Sequence, residues 1–420
     1  MEVSRRVSHL APSPTVAMMN RAKALIAQGI DVLSFSAGEP DFDTPERIKR
    51  AAIDALLAGQ TKYMPTAGDP ATRKVIADKL TRENRIPDCT ADHIVIGAGG
   101  KHSLYVLFQT LLDPPPEGFP AGAPREEALL PSPTWVSYAP HIELAGGRVV
   151  EIPAPPEAGF KITPEQLRRA ITPRSRLLVL NSPSNPCGTM YTEAELRGLA
   201  AVVAEAARTV APNLMVISDE IYEKIVYGGV PHFSIGSIPE IAERTVTING
   251  LSKAFAMTGW RVGYAAGSGE FGLRLAKAMT TLQGQMTTNI TSFIYPAIRV
   301  ALTECADDVE RMRQAFARRA ALITDLITKI PGLTVARPTG AFYVFPDVSG
   351  HFGKATPKGR RITDATTFCE ALQDEARLAF VQGDDFGGSG PRCVRISFAC
   401  SEEQIEKGMA RLGEFLASLR

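Results

Sequence analysis

The chain has 420 residues, 45% of them hydrophobic, and its 46 basic residues almost balance its 45 acidic residues. This length exceeds that of one average domain, and the balanced charge offers no basic surface for nucleic acid. The sequence also lacks a run of about 18 apolar residues, the length that a membrane-spanning helix needs. We therefore expect a cytoplasmic protein of two domains that acts on small molecules and binds neither nucleic acid nor a membrane.

The cysteines and histidines of the chain are scattered. Its six cysteines form no C-x-x-C pair, and its six histidines show no H-E-x-x-H spacing. Metal sites and disulfide frameworks depend on such regular spacings. The sequence therefore predicts reduced cysteines and no bound metal ion.

From residue 45 onward, helical patterns alternate with short apolar runs. The first helix has Thr44 as its predicted N-cap, Pro45 as its first residue and Gly59 as its terminator. Another helix begins at the capping box of Thr192 and Glu195. The alternation predicts an α/β fold with a mostly parallel sheet flanked by helices. The predicted strands are residues 93–96, 177–180, 214–217, 245–248 and 262–266.

The pattern changes beyond residue 290. A long helical stretch covers residues 311–330 and a strand-like run covers residues 340–345, which predicts a smaller α+β domain. The segment 113–125 is rich in proline and glycine and is predicted to be a surface loop. The predicted division of the chain is an N-terminal arm that covers the active site as part of the small domain (1–45), a large domain (46–290) and a small C-terminal domain (291–420).

One glycine motif suggests a nucleotide site but lacks its usual partner. Gly267, Gly269 and Gly272 follow a predicted strand with the G-x-G-x-x-G spacing of dinucleotide-binding folds. Those folds also need an acidic residue roughly 20 positions later to hold the ribose. Residues 271–303 contain no Asp or Glu. This argues against a nicotinamide-dependent dehydrogenase.

Three other segments place polar groups just beyond predicted strands. Residues 97–101, Gly-Ala-Gly-Gly-Lys, end a strand and open a helix at residues 102–112, where backbone N–H groups can hold a phosphate, although a plain tight turn explains them equally well. Asp219 follows an apolar run and is either a ligand-binding carboxylate or a helix cap. Asn185 lies in a turn-rich segment beyond another strand.

Lys253 is the candidate nucleophile. It follows a predicted strand and is followed by Ala-Phe-Ala-Met, residues 254–257. An apolar setting disfavours the ammonium form and lowers the pKa, which an imine-forming lysine requires. An arbitrary lysine is far more often a solvated surface residue, so the surrounding blocks of sequence decide between these interpretations.

Those blocks resemble the fold-type I pyridoxal-phosphate-dependent aminotransferases, in particular the bacterial aspartate and prephenate aminotransferase group. The resemblance runs nearly from end to end of the chain. It is carried by residues 37–44, 62–63, 99–101, 135–138, 181–188, 218–222, 252–261 and 394–397. The resemblance implies a large domain that binds pyridoxal 5'-phosphate.

The resemblance also implies roles around the cofactor ring. Lys253 would hold the cofactor as a Schiff base and then move the proton of the substrate Cα. Asp219 would pair with the pyridine nitrogen and keep the ring an electron sink. Asn185 and Tyr222 would hydrogen-bond the 3'-oxygen, and Trp135 would stack on the ring.

The cofactor phosphate would lie on the backbone amides of Gly99 and Gly100, with the Ser252 hydroxyl and the Arg261 guanidinium completing its site. In related proteins, the tyrosine that matches Tyr63 reaches the phosphate of the neighbouring subunit. The resemblance therefore implies a homodimer with shared active sites.

For the substrate, the resemblance implies that Arg395 holds the α-carboxylate with help from the Gly38 backbone, while Trp135 and Asn185 border the site. Lys101 matches the position that receives the distal carboxylate of aspartate or glutamate. We therefore expect transfer of the amino group from L-aspartate to 2-oxoglutarate.

Alternative activities stay open at the level of sequence. Aromatic amino acids or prephenate-type substrates would use the same chemistry, and a lyase would start from the same proton removal at Cα. Many prephenate-using relatives carry a basic residue where this chain has Ala11, which disfavours prephenate. Cys187 replaces a threonine of the related proteins, which we expect to affect packing more than chemistry. A regulatory role would need an added DNA-binding unit, which the N-terminal segment does not suggest.

Overall fold

Parallel strands form the centre of the computed structural model, which describes residues 4–8, 10, 14–114 and 125–420. Ala11 and residues 115–124 of the predicted loop at 113–125 lie outside the described residues. The strands are β1 (Leu33–Ser34), β2 (Ile94–Gly97), β3 (Glu127–Ser132), β4 (Arg148–Pro153), β5 (Ser175–Asn181), β6 (Met215–Asp219), β7 (Thr245–Gly250), β8 (Gly263–Ala266), β9 (Tyr343–Val344), β10 (Leu378–Ala379), β11 (Val381–Gln382) and β12 (Val394–Ser397).

The α-helices lie before, between and after these strands. They are α1 (Arg5–Ser8), α2 (Pro14–Ala27), α3 (Glu46–Leu57), α4 (Pro70–Lys79), α5 (Gly100–Leu111), α6 (Tyr138–Leu144), α7 (Pro164–Ala170), α8 (Glu193–Thr209), α9 (Gly269–Gly284), α10 (Tyr295–Glu304), α11 (Ala306–Ile327), α12 (Ala365–Ala371) and α13 (Glu402–Ala417). No helix in the described ranges combines the length and the hydropathy needed to cross a membrane.

A seven-stranded sheet has the order β2-β8-β7-β6-β5-β3-β4, and β8 alone runs antiparallel to its neighbours. The five strands predicted from apolar runs all belong to it, so the predicted mostly parallel α/β sheet is confirmed. The prediction missed β3 and β4. The apolar run of β3 is interrupted by Pro131, and β4 is an edge strand with the charged residues Arg148 and Glu151.

Both faces of this sheet are covered by helices, which explains its nearly continuous apolar strands. Along β5, Leu177 and Val179 pack with α5, α6 and α9, whereas Leu178 and Leu180 pack with α7 and α8 on the opposite face. Side chains two residues apart point to the same face of a strand. Apolar residues of helices α3, α4 and α10 pack beside strands β2 and β8.

The C-terminal part contains a three-stranded antiparallel sheet of order β11-β12-β9, and a separate parallel pair joins β1 to β10. Apolar residues of α11, α12 and α13 form one core cluster with β9 and β12. The predicted smaller α+β unit is thereby confirmed. The long helix predicted at 311–330 is α11, but the strand-like run at 340–345 contributes only the two residues of β9.

Helix starts show where local prediction works and where it fails. The capping box of α8 is present, because the Thr192 hydroxyl accepts from the Glu195 amide and the Glu195 carboxylate accepts from the Thr192 amide. Thr44 as the N-cap of α3 is wrong, since Pro45 occupies that position without a side-chain cap. The Thr44 hydroxyl instead donates to the Ala256 carbonyl at 2.7 Å, which ties the start of α3 to the loop after Lys253.

The predicted G-x-G-x-x-G segment does form a turn between β8 and α9. A Cβ atom on Gly267 would lie 2.8 Å from the Cα of Gly272, so these glycines allow one backbone segment to pack on another. Gly269 adopts a positive φ of 61° beside Glu243. Chain packing therefore explains the motif without a nucleotide.

A buried ionic cluster joins α4 to the loop after β6. Glu220, Glu223 and His232 offer ligand atoms within 4.8 Å of one another in the described part of the chain. Lys79 pairs with Glu223, and the Asn84 amide donates to both glutamates at 2.8 and 2.7 Å. Burial raises the pKa of Glu223, but the charges of Lys79 and His232 outweigh this effect and bring it to about 2. Lys79 thus supplies the positive charge in this cluster, and the absence of a metal ion stays a prediction.

We predict that Lys79→Met lowers the free energy of unfolding by roughly 3–5 kcal/mol, because Glu223 would be left buried without its partner charge. The Lys79 and Glu223 side chains are only 3% and 9% exposed. Lys74→Met on the same helix is the matched control, since Lys74 pairs with Asp78 in solvent at 70% and 54% exposure. Urea unfolding of the three proteins measures the difference. Equal midpoints for the two variants would show that the buried pair contributes no more than the exposed one.

Candidate active site

The carboxyl ends of four parallel strands meet at one edge of the large sheet. β2 leads into the Gly99 turn, β5 into the Asn185 segment, β6 ends at Asp219, and β7 leads to Lys253. Ligands of open α/β sheets bind at this edge because loops from neighbouring strands surround it. The topology therefore brings together side chains that are far apart in the sequence.

A cavity of about 270 Å³ lies at this edge. All predicted site residues except Gly99 and Tyr63 line it. Gly99 directly precedes the lining residue Gly100, whereas the Tyr63 side chain is 89% exposed and points away from the enclosed part of the molecule. The cavity is lined by Gly38, Gly100, Lys101, Leu104, Trp135, Val136, Ser137, Tyr138, Asn181, Asn185, Asp219, Ile221, Tyr222, Ser252, Lys253, Thr258, Arg261, Tyr343 and Arg395.

Lys253 is a partly buried amine whose pKa is lowered. Its Nζ donates to the Gly38 carbonyl at 2.5 Å and lies 5.9 Å from the centroid of the Phe342 ring. Burial lowers the pKa of this amine to about 8, and the charges of Arg395 and Arg261 act in the same direction against that of Glu39. A neutral fraction is therefore present near neutral pH, as nucleophilic or base chemistry requires.

Asp219 is a buried carboxylate held at its two oxygens. The Tyr138 hydroxyl donates to Oδ2 at 2.6 Å, and the Ile221 amide donates to Oδ1 at 3.2 Å. Burial raises the pKa of Asp219 to about 6, although these two hydrogen bonds lower it. Above pH 6 the side chain is an oriented anion that can hold a cationic ring nitrogen.

The turn before α5 and the loop after Lys253 form a site for an anion. α5 begins at Gly100, so its first N–H groups lack helical acceptors and its dipole favours negative charge. Gly99 has a φ of 93°, and a Cβ at that position would collide with the Arg261 guanidinium. Arg261 Nη1 donates to the Thr258 carbonyl at 2.7 Å, which holds the guanidinium beside the turn. Ser252 is buried next to this group.

Arg395 is the second buried cation of the cavity. Its Nη1 donates to Asn185 Oδ1 at 3.1 Å and its Nη2 to the Ser36 carbonyl at 2.8 Å. Nε is buried without a hydrogen-bond partner in the described structure. The guanidinium lies between two rings, 4.8 Å from the Tyr343 centroid and 5.3 Å from that of Phe386. A guanidinium oriented in this way is a suitable partner for a carboxylate.

Lys101 lies at another side of the cavity, at the start of α5. Its Nζ is 5.0 Å from the centroid of the Trp135 ring. Although Lys101 is exposed as a residue, partial loss of water around its ammonium lowers its pKa, and the charge of Arg261 adds to the effect. The ammonium is thus held by an aromatic face rather than by a carboxylate, which leaves it free to bind an anionic group of a ligand.

Several lining residues were missed from the sequence. Tyr138 holds Asp219, and the Tyr343 hydroxyl lies 3.1 Å from that of Tyr222. The Asn181 side chain donates to the Asp219 carbonyl and accepts from the Asn185 amide, which orders the loop after β5. Tyr138 and Asn181 belong to the blocks of sequence that resemble the aminotransferases, so their position in those blocks could have identified them as site residues. Tyr343 was noted only as part of a strand-like run.

Comparisons with known proteins agree with this geometry. The family model described as "Aminotransferase class I and II" matches residues 30–412. Among curated proteins, aspartate aminotransferase of Geobacillus stearothermophilus is 43% identical over 417 residues, with 99% of each chain covered. Aspartate/prephenate aminotransferase of Thermus thermophilus is 42% identical, with 99% of this chain and 98% of the relative covered.

Solved structures of similar proteins share the whole fold. The structure of the aspartate aminotransferase from Rhizobium meliloti has a TM-score of 0.91 at 37% identity and covers all of both chains. Aspartate aminotransferase from Thermus thermophilus with maleate has a TM-score of 0.88 at 41% identity, with 99% of this chain and 100% of that chain covered.

We predict that Tyr138→Phe raises the pKa of Asp219 by roughly one unit above its value of about 6, because the carboxylate loses its closest hydrogen-bond donor. Infrared titration of the protonated carboxyl band, assigned by its absence in Asp219→Asn, measures the shift in protein freed of small ligands. Tyr227→Phe is the control, since Tyr227 is also buried but its hydroxyl donates to the Ala341 carbonyl. An unchanged titration midpoint in Tyr138→Phe would contradict the role given to this hydroxyl.

Proposed function

Because the chain belongs to the class I and II aminotransferase family, we propose that it is a pyridoxal-phosphate-dependent aspartate aminotransferase. It transfers the amino group of L-aspartate to 2-oxoglutarate, giving oxaloacetate and L-glutamate. One observation carries the proposal: a single cavity contains the amine of Lys253 and two further cations, Arg395 and Lys101, which suit the two carboxylates of the substrate.

The residues of the cavity fit pyridoxal phosphate. The glycine turn, Ser252 and Arg261 would hold its phosphate, since the missing Cβ of Gly99 leaves space beside the guanidinium. Asp219 would hold the protonated ring nitrogen, and Trp135 would cover the ring. When bound, this cofactor supplies an aldehyde that condenses with amines and a ring that accepts electron density from the substrate Cα.

Lys253 would act twice through the same nitrogen. Its neutral form would hold the cofactor through the aldehyde, and as a free amine it would take the substrate Cα proton and later return one. The pKa of about 8 keeps both protonation states accessible near neutral pH. The 2.5 Å hydrogen bond to the Gly38 carbonyl keeps Nζ inside the cavity.

Asn185, Tyr222 and Asp219 would orient the ring rather than transfer protons. Asn185 is buried and already accepts from Arg395, so one amide group lies between the ring and the carboxylate-binding guanidinium. Tyr222 is also buried and lines the cavity. Both groups can donate to the 3'-oxygen while the Arg395 guanidinium holds the α-carboxylate.

Aspartate is favoured as the amino donor because the cavity holds separate cations for two carboxylates. Arg395 suits the α-carboxylate and Lys101 the distal one. The aspartate aminotransferase from Thermus thermophilus is described with maleate, a dicarboxylate of four carbons. Transamination of aromatic amino acids or prephenate is the second candidate, because several similar proteins are named aspartate/prephenate aminotransferases. Ala11, which bears on prephenate use, lies outside the described residues.

We also propose a homodimer with shared sites. The α3 residues Ile53, Leu56 and Leu57 are 45%, 47% and 80% exposed, and the 89% exposed Tyr63 follows on the same segment. A second copy that covered this apolar surface would bring its Tyr63 toward the phosphate site of the first. Location in the cytoplasm stays a prediction.

The division into an arm, a large domain and a small domain is likewise a proposal. Separate core clusters support it, because those on the two faces of the large sheet are distinct from the one around β9 and β12. α10 packs with α3 and α4, which favours a boundary between α10 and α11, slightly beyond residue 290. Phe35 and Phe42 of the arm pack with the core cluster of the C-terminal part. This packing supports the assignment of the arm to the small domain.

We predict that the wild-type protein, loaded with pyridoxal phosphate, converts aspartate and 2-oxoglutarate to equal amounts of oxaloacetate and glutamate. Lys101→Gln should lower kcat/KM for aspartate by about 10–100-fold, the effect of losing one charged hydrogen bond, and change the value for phenylalanine by less than about threefold. Lys277→Gln removes an exposed lysine of α9 and is the matched control.

Three outcomes would contradict this proposal. Phenylalanine as the better donor for the wild-type protein would favour the aromatic or prephenate activity. An equal loss for both donors in Lys101→Gln would remove Lys101 from distal-carboxylate binding. Release of ammonia and pyruvate without a matching amount of glutamate would indicate a lyase.

A further inference from the structure

We infer that Tyr343 is a positioning residue that couples carboxylate binding at Arg395 to the hydrogen bond that Tyr222 makes in the cavity. This inference rests on the proposed function and adds to it a physical link between the substrate site and the cofactor site. Tyr343 lines the cavity and contacts groups of both sites, yet it had no role in the sequence-based prediction.

The backbone of the small sheet places Tyr343 beside Arg395. β9 pairs with β12 so that Tyr343 is opposite Ser397, two residues from Arg395. Residues two apart share a face of the sheet, so the tyrosine ring and the guanidinium are diagonal neighbours. The ring centroid lies 4.8 Å from the Arg395 Cζ, a cation–π contact in a fully buried setting.

The other end of the same side chain reaches the large sheet. The Tyr343 hydroxyl lies 3.1 Å from the Tyr222 hydroxyl, and Tyr222 belongs to the loop after β6. The two tyrosine rings are packed edge to face at 5.9 Å. One side chain therefore stacks on the proposed substrate ligand and hydrogen-bonds the proposed cofactor ligand.

Packing restricts this hydroxyl to one position. A Cβ on Gly38 would lie 2.9 Å from the Tyr343 Oη, so the glycine backbone closes one side of the hydroxyl. The centroids of the Phe342 and Tyr343 rings are 4.8 Å apart, and Tyr343 is 1% exposed. The Tyr343 hydroxyl is therefore held within hydrogen-bond distance of Tyr222.

The charge of Arg395 acts on both hydroxyls. Burial raises the pKa of Tyr222 and that of Tyr343, and in each case the guanidinium opposes the rise. Asp219 raises the pKa of Tyr222, and Asp385 opposes the lowering of the pKa of Arg395. The Lys253 ammonium lines the same cavity.

A bound carboxylate would neutralise part of the Arg395 charge. Both tyrosines would then hold their protons more tightly, and Tyr222 would become a weaker donor to the cofactor oxygen. A weaker donor stabilises the deprotonated chromophore less, so the visible absorption band of the loaded protein should titrate at higher pH when a carboxylate is bound. The hydroxyl pair of Tyr343 and Tyr222 is the route for this effect, in parallel with direct charge and with Asn185.

The experiment uses the protein loaded with pyridoxal phosphate and records the pH midpoint of its visible band with and without saturating succinate. In the wild type, succinate should raise the midpoint by about one pH unit. In Tyr343→Phe the increase should fall to about half or less, while succinate affinity changes by less than about threefold because the ring that stacks on Arg395 remains. Tyr227→Phe, which loses a buried hydroxyl of the same core cluster outside the cavity lining, should keep the full increase.

A double-mutant cycle separates coupling from a general loss of structure. Tyr222→Phe alone should reduce the increase, and adding Tyr343→Phe to it should cause no further reduction. A full increase in Tyr343→Phe, or additive losses in the double variant, would overturn the inference and leave the proposed function intact. A wild-type protein that shows no visible band after loading would instead reject the proposed function itself.

Discussion

The removal of a carboxylate, an amine and a guanidinium from water around one cavity is the constraint on which the site depends. Removing an ion from water costs several kcal/mol unless hydrogen bonds and opposite charges compensate it. The Asp219 carboxylate accepts a hydrogen bond from the Tyr138 hydroxyl. Lys253 donates to the Gly38 carbonyl, and Arg395 donates to the Ser36 carbonyl. Each ion keeps some bonding capacity open toward the cavity, so ligand binding completes an arrangement that the fold has already oriented.

The fold meets this constraint by separating the groups that hold the ring from those that hold the substrate. Asp219 and Lys253 follow parallel strands of the large sheet, where neighbouring strand ends fix their relative positions. Arg395 and Tyr343 are on the antiparallel small sheet. Two hydrogen bonds between side chains join the two groups, one from Arg395 to Asn185 and one between Tyr343 and Tyr222. A relative shift of the two sheets would therefore change both substrate binding and the electrostatics of the ring site.

Local signals in the sequence were sufficient for much of the fold and for the chemistry-bearing residues. The apolar runs predicted five strands of the large sheet, and the block around Lys253 predicted a buried amine. Prediction failed where a residue's role depends on distant parts of the chain. Thr44 has a side chain that is typical of an N-cap, but its hydroxyl donates a hydrogen bond to a carbonyl 212 residues away. Tyr343 lies 121 residues from Tyr222, and no periodicity in either segment indicates that their hydroxyls meet.

The most direct test of the account is chemical trapping at Lys253. The protein is loaded with pyridoxal phosphate, reduced with borohydride and digested, and the modified peptide is identified by mass spectrometry. The account predicts one stable cofactor adduct, on the peptide that contains Lys253, and its loss in Lys253→Ala. An adduct on a different lysine, or none after loading, would contradict the claim that this buried amine carries the chemistry.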